Sequence, residues 1–183
     1  VFEDVAMTTT NVVHTAHLTS AQRAAARDLL DRSFDGRFGD DNWEHALGGL
    51  HVLICESDRL IAHAAVVQRR LMLGDRALRA GYVEAVAVES ERRGLGHGAA
   101  VMAEAERIVR SAYDLGALSA GEWNAGFYLA RGWQRWAGET AVLAPAGVIA
   151  TPNEDFATYV LAVGGPIELT GRLACDWRPG DVW

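Results

Sequence analysis

A mixed α/β (α+β) fold, with helices flanking a central sheet that is mostly antiparallel, is what this 183-residue sequence predicts. Three observations predict it. Three strand-like stretches follow one another across short turn-forming clusters, which makes the middle of the chain an antiparallel meander. A glycine-rich run then separates the last strand from a long segment with helical apolar spacing. Beyond that helix, short apolar stretches alternate with a further helical one. At about 150 residues per domain, the chain is expected to form a single domain over 1–183. Half of its residues are hydrophobic and 22% are charged, the balance of a chain with an ordered core.

The elements follow in order. Residues 1–10 read as a flexible N-terminus. Val12 to Leu18 alternates apolar and polar residues, as a strand does. Thr19 with Gln22 forms a capping box that opens a helix carrying Ala24, Leu29, Leu30 and Phe34. A short helix over Asp41 to Leu47, capped by Asp41, is stopped by Gly48-Gly49. Strands are expected over Leu50 to Cys55, Leu60 to Leu73 and Leu78 to Val88. The long helix runs from Ala99 to Leu115, with Val101, Met102, Ala105, Ile108, Val109 and Ala112 on its apolar face. Ala117 to Ala120 reads as a short buried strand and Glu122 to Arg131 as a helix. Strands are then expected within Trp133 to Leu143 and over Thr158 to Val163. All four prolines lie after residue 144, so the C-terminal fifth is expected to be loop-rich, closing over something rather than building core.

Charge and residue usage exclude several functions. A net charge of −7 and a pI near 5.3 disfavour a basic nucleic-acid-binding face. Every basic residue among the 17 is arginine. Without lysine, neither a Walker-type phosphate loop nor a lysine Schiff base is available, and phosphate must be held by backbone N–H groups and guanidiniums. Cys55 and Cys175 lack metal-ligand spacing and read as two unreactive thiols, and the histidines show no metal-ligand grouping, so no metal is expected. His63 reads as a strand-interior residue without a catalytic role. The six tryptophans read as core and cleft wall rather than a base-stacking platform. No segment reads as a signal peptide or membrane span, which points to a cytoplasmic protein without membrane partners.

The run Arg93-Gly94-Leu95-Gly96-His97-Gly98 carries the most chemistry. Glycines at a helix N-terminus let amides approach phosphate oxygens, aided by the helix dipole; alternatively, such a run serves only chain reversal. A dinucleotide-binding fingerprint needs different glycine spacing in a βαβ unit.

In that context the run resembles the acyl-CoA motif of the GCN5-related N-acetyltransferase (GNAT) superfamily: Gln or Arg, two residues, Gly, any residue, then Gly or Ala. Phe127-Tyr128, followed by Gly132-Trp133, matches that superfamily's second motif, although Gly121 stands where an asparagine is common. The segments Asp41–Gly49, Ile61–Arg70, Gly81–Glu84 and Cys175–Trp183 are similar to the aminoglycoside 2'-N-acetyltransferases of actinobacteria. This similarity runs from about Val13 to Trp183.

The resemblance implies a GNAT acyl-CoA N-acyltransferase fold with a splayed parallel strand pair. It implies acetyl-CoA as co-substrate, an aminoglycoside acceptor and a homodimer formed through the late strands. It assigns cofactor contacts to Val86, Val88, Arg93, Gly94, Gly96, Gly98 and Ala99, with the Val86 N–H facing the thioester carbonyl. Glu84, in an otherwise apolar segment, becomes the general base through water; its alternative is a structural partner of Arg79 or Arg70. Tyr128 becomes the acid for the leaving thiolate; its alternative is a core aromatic. Asp41, Asn42, Glu84, Ser119, Glu154, Asp181 and Trp183 are assigned to the acceptor, with the tail 164–183 folding towards it and its terminal carboxylate helping. Asp40, Asp155 and Asp176 lie in the same acidic segments, which would attract a polycation. Arg37 and Asn42 replace acidic residues of that family. Two other readings stay open: another amino-sugar or small-amine acceptor, and a non-catalytic acyl-CoA-binding module.

Overall fold

The protein is described by a computed structural model over residues 7–183. The expected flexible N-terminus lies outside the described residues for 1–6, whereas Thr8–Thr10 belongs to a strand. The chain forms two compact units. The first comprises the described part of Val1–Val67 with Glu84–Glu106, the second Gln68–Val83 with Arg107–Trp183.

The first unit holds β1 (Thr8–His14), α1 (Ser20–Ser33), α2 (Asp40–Ala46) and β2 (Leu50–Glu56). It also holds the start of β3 (Arg59–Leu73), the end of β4 (Arg76–Val88) and the start of α3 (His97–Ala112). β1 pairs antiparallel with β2 from Thr8↔Glu56 to His14↔Leu50, and β2 antiparallel with β3. The first strand therefore ends at His14 rather than Leu18. Thr15–His17 forms a 3-10 turn in which the Thr15 N–H reaches the Gly49 carbonyl at 2.9 Å. The Thr19/Gln22 capping box is present. It starts α1 so that Ala26, Leu29 and Leu30 are fully buried against Leu18, Phe38, Leu53, Leu60 and Ala87; burying each leucine contributes about 2 kcal/mol. α2 is capped two residues earlier than expected. Gly39, not Asp41, is its N-cap, and the Asn42 side-chain oxygen accepts the Gly39 N–H at 3.0 Å.

The second unit adds β5 (Leu115–Ser119), α4 (Ala125–Leu129), β6 (Gln134–Arg135), β7 (Thr140–Ala144), β8 (Gly147–Ala150), β9 (Thr158–Ala162) and β10 (Leu173–Asp176). The strand order is β6-β9-β5-β4-β3-β10-β7-β8. β4 runs parallel to β5 over Ala80–Tyr82, opposite Leu115–Ala117, and β10 runs parallel to β7. β5 with β9, β6 with β9, β7 with β8 and β10 with β3 pair antiparallel.

Three expectations change here. α3 stops at Ala112 because Leu115 is needed in β5, and Asp114 closes the turn by accepting the Arg79 N–H at 2.9 Å. The expected helix over Glu122–Arg131 is a 3-10 turn, Glu122–Asn124, followed by the short α4, with Gly121 and Gly126 flanking that change. The strand expected within Trp133–Leu143 is broken between β6 and β7, and a Cβ at Gly138 would lie 1.9 Å from the Gly171 carbonyl oxygen. The C-terminal fifth is also not mainly a cover. β10 lies between β3 and β7, with Leu173, Ala174 and Cys175 buried.

Candidate active site

In the first unit, chemistry gathers at the end of β4. Glu84 is half-buried there. The next residue, Ala85, has φ +52°, a left-handed conformation that costs a non-glycine residue about 1–2 kcal/mol. Its carbonyl accepts a hydrogen bond from a side chain, His63 Nδ1, at 2.8 Å. Val86 and Val88 follow, both half-buried, and the Val88 carbonyl accepts a bond from Arg93 Nε at 3.2 Å. Buried Glu89 then anchors the strand end, pairing with Arg32 at 2.9 Å and Arg59 at 3.2 Å. The Arg32 hydrogen bond is the main cause holding its carboxyl below the usual range.

The glycine-rich turn comes next. Gly94 and Gly96 have φ of +75° and +89°, which only glycine adopts without strain, and a Cβ on either would meet no atom within 4 Å. Arg92 Nε braces the approach on Glu56 at 2.7 Å. α3 begins at His97, and its first intrahelical bond runs from the Ala100 N–H to the Gly96 carbonyl at 2.9 Å. The amides of Gly98 and Ala99 therefore sit in the first turn, where N–H groups lack intrahelical acceptors and the dipole is positive. Open space over left-handed glycines at a helix start suits an anion such as a phosphate group.

Asp41 is exposed on α2, and the side-chain oxygen of Asn42 is committed to the Gly39 cap. Arg37, exposed, donates to the Phe34 carbonyl and to Asp35.

In the second unit, Tyr128 is buried on α4 within an aromatic cluster of Phe127, Trp133 and Tyr159, at ring separations of 5.2, 6.3 and 5.9 Å. Burial, with a smaller contribution from Tyr159, pushes its pKa up to about 12. The phenol is therefore protonated at neutral pH and able to donate.

Three of the acceptor residues converge in this unit. Ser119 Oγ lies 3.4 Å from a Glu154 carboxylate oxygen. Burial and then the nearby Asp181 raise the Glu154 pKa, while the Ser119 bond lowers it. The tail is pinned beside them. Buried Arg69 donates to the Asp176 side chain and backbone, both at 2.8 Å, and Arg178 donates to the Asp181 carbonyl. The Trp183 indole is buried and donates to Thr151 Oγ1 at 2.9 Å. Asp155 is a structural acceptor for the Thr140 N–H and hydroxyl. Arg79, one alternative partner for Glu84, is engaged by Asp114 at 3.0 Å.

Neither thiol has a nucleophile's environment: burial raises both, Cys175 to about 11. Among the described residues, no group of three His, Cys, Asp or Glu side chains gathers as a metal site, and no helix is long and apolar enough to cross a membrane. Sequence alone does not single out Glu89, Glu56 or the contact between the two buried histidines. Glu56 and Glu89 resembled ordinary turn charges, and only the fold reveals what they brace.

The family described as the acetyltransferase (GNAT) domain matches residues 14–136. An aminoglycoside 2'-N-acetyltransferase from Mycolicibacterium fortuitum is 52% identical over 179 residues, covering 96% of this chain and 92% of that protein. The crystal structure of the GNAT family N-acetyltransferase YhbS from Escherichia coli in complex with CoA matches with a TM-score of 0.67 at 14% identity, over 94% of this chain and 91% of that one. A GNAT family acetyltransferase from Brucella melitensis in complex with acetyl-CoA matches with a TM-score of 0.60 at 15% identity, over 91% and 95%.

Proposed function

The chain belongs to the GCN5-related N-acetyltransferase (GNAT) family, and from that premise we propose that it acetylates the 2'-amino group of aminoglycosides with acetyl-CoA. The near-full-length likeness to an aminoglycoside 2'-N-acetyltransferase carries this reading. In this reading the whole chain works as one catalytic domain, with the tail 164–183 serving the acceptor site.

The residues divide the work. The amides of Gly94, Gly96, Gly98 and Ala99, with Arg93, hold the pyrophosphate, and the backbone of Val86 and Val88 lines the pantetheine arm. Bound acetyl-CoA supplies an activated thioester carbonyl and a thiol leaving group. Glu84 takes a proton from the acceptor ammonium through water, because a protonated amine has no lone pair with which to attack. The Val86 N–H donates to the carbonyl oxygen as charge builds there. The Tyr128 hydroxyl gives its proton to the departing sulfur, a role suited to a buried phenol with raised pKa. Glu154, Asp181, Ser119, Asp41 and Asn42 receive the drug's ammonium and hydroxyl groups, and Trp183 holds the tail in place.

The remaining parts of the reading concern the cellular setting. Cytoplasmic residence is part of this reading and is supported by the two cysteines being free thiols. Homodimerisation is supported by β8, which exposes Val148 and Ile149. The surplus of acidic residues favours a cationic drug over nucleic acid or an anionic membrane.

Thiol release from acetyl-CoA tests the proposal with paired aminoglycosides carrying an amine or a hydroxyl at the 2' position, corrected for Cys55 and Cys175. Turnover is expected with the 2'-amino members only. Equal turnover with both would move the reacting nitrogen elsewhere, and turnover with neither would leave another amine, or binding alone, as the function.

A further inference from the structure

A buried polar chain runs from the surface turn at Gly48 to the left-handed residue in β4, entirely within the first unit. Its links are the Gly48 N–H to Thr15 Oγ1 at 3.0 Å, Thr15 Oγ1 to His51 Nε2 at 2.8 Å, His51 Nδ1 to His63 Nε2 at 3.0 Å, and His63 Nδ1 to the Ala85 carbonyl at 2.8 Å. Both imidazoles are fully buried. Register brings them together: His51 pairs with Ala65 and His63 with Leu53, so the two histidines are diagonal neighbours on one face.

The proton positions follow from chemistry. A carbonyl only accepts, so His63 Nδ1 carries the hydrogen. Burial holds both rings neutral, with pKa values of about 4 for His63 and about 3 for His51. His63 Nε2 is then a bare acceptor, His51 Nδ1 its donor, and His51 Nε2 the acceptor of the Thr15 hydroxyl. The terminal carbonyl thus sets the direction of both imidazole links, and the Thr15 hydroxyl, which also lies 3.2 Å from the Gly49 carbonyl, faces a bare His51 Nε2 at the shorter distance.

We propose that His63 is a positioning residue for acetyl transfer: by holding the Ala85 carbonyl it fixes the Ala85–Val86 peptide and so aims the Val86 N–H at the thioester oxygen. A trans peptide is planar, with its C=O and N–H pointing in opposite directions, so anchoring one end orients the other; the described residues contain no cis peptide bond. Ala85 lies in a left-handed conformation that an extended strand does not supply, and the imidazole is the partner that holds its carbonyl there. His51 and Thr15 lock the tautomer that makes this bond possible. The inference rests on the acetyl-transfer reading and names the residue that preorganises its carbonyl-binding amide.

The test compares His63→Leu, which removes the donor, with His63→Asn, whose amide nitrogen stands where Nδ1 stood. The first readout is the infrared carbonyl stretch of bound acetyl-CoA labelled with 13C at the thioester carbon, which needs no acceptor. Wild type is expected to red-shift this band, His63→Leu to lose most of the shift and His63→Asn to regain it. With a 2'-amino aminoglycoside, kcat should fall about 10- to 100-fold in His63→Leu and return to within about 3-fold in His63→Asn. The KM for acetyl-CoA should change by less than about 3-fold in both, because the glycine turn is untouched. An unchanged band and kcat in His63→Leu, or equal losses in both variants, would overturn the proposal, the latter by making the imidazole a packing element. Should the leucine variant fail to fold, 15N NMR of wild-type histidines decides: His63 is expected as the neutral Nδ1–H tautomer at pH 7, and an Nε2–H tautomer or an imidazolium would refute the chain. If wild type acetylates no amine at all, the acceptor reading fails, while the carbonyl band still decides whether His63 aims Val86.

Discussion

Ala80–Tyr82 and Ala85–Val88 belong to the same strand, β4, yet their backbone groups go to different kinds of partner. The first stretch pairs in parallel with β5, and its Gly81 is packed so closely that a Cβ would lie 2.6 Å from Tyr113 and 2.9 Å from Val109. In the second stretch two carbonyls, those of Ala85 and Val88, accept from the side chains of His63 and Arg93. Ladder pairing with β5 and close packing build the fold along the first stretch, whereas along the second, which still runs beside β3, side-chain anchors hold two of the carbonyls. The difference teaches that stability and chemistry are separable along one strand.

That separation can be broken or sharpened by mutation. The largest expected effect is in the second stretch. Glu84→Gln should lower kcat about 10²- to 10⁴-fold with little change in Tm, measured by thiol release and thermal melting. A large Tm loss with kcat retained would make Glu84 a structural residue. Acid comes next. His63 and His51 have folded pKa values of about 4 and about 3, below the 6.5 of the unfolded chain. The unfolded state therefore binds more protons between pH 6.5 and 4, and stability falls as pH drops through that window. His63 alone contributes on the order of 3 kcal/mol of this loss at about 1.4 kcal/mol per unit. Chemical denaturation at pH 7 and pH 4.5 reads it, and His63→Asn should flatten the slope.

Gly81→Ala tests the first stretch and should destabilise by about 1–3 kcal/mol through overpacking, while the folded fraction keeps kcat within about 2-fold. A selective kcat loss there would erase the contrast between the stretches. The smallest effect is Thr19→Ala, which removes one half of the α1 capping box and should cost about 1 kcal/mol, again without a change in kcat.

These residues also mark how far the sequence could be read. Thr19 and Gln22 are three positions apart, so the cap was visible locally, and the spacing of Arg93, Gly94, Gly96 and Gly98 placed the turn before α3. The meander followed from short turns between long apolar runs. Other elements depended on distant partners. β10 is four residues in a glycine- and proline-rich context, and its place between β3 and β7 follows from sheet pairing that no local pattern encodes. The N-cap of α2 lies at Gly39 rather than Asp41 because the Asn42 side chain accepts the Gly39 N–H. His51 and His63 are twelve residues apart, and only His63 reads as a strand-interior residue. Only the β2–β3 register makes them neighbours, and only the turned Ala85 carbonyl gives them something to hold. Glu84 and Tyr128 were legible through motif resemblance, but the anchoring beneath Glu84 was not.

The most direct test of the central claim is the position of the new acetyl group, read by two-dimensional NMR of the product formed from acetyl-CoA and an aminoglycoside bearing several amines. A single amide on the 2' nitrogen is expected, with the downfield shift confined to H2'. Acetylation at any other nitrogen, or a mixture without preference for the 2' position, would contradict it.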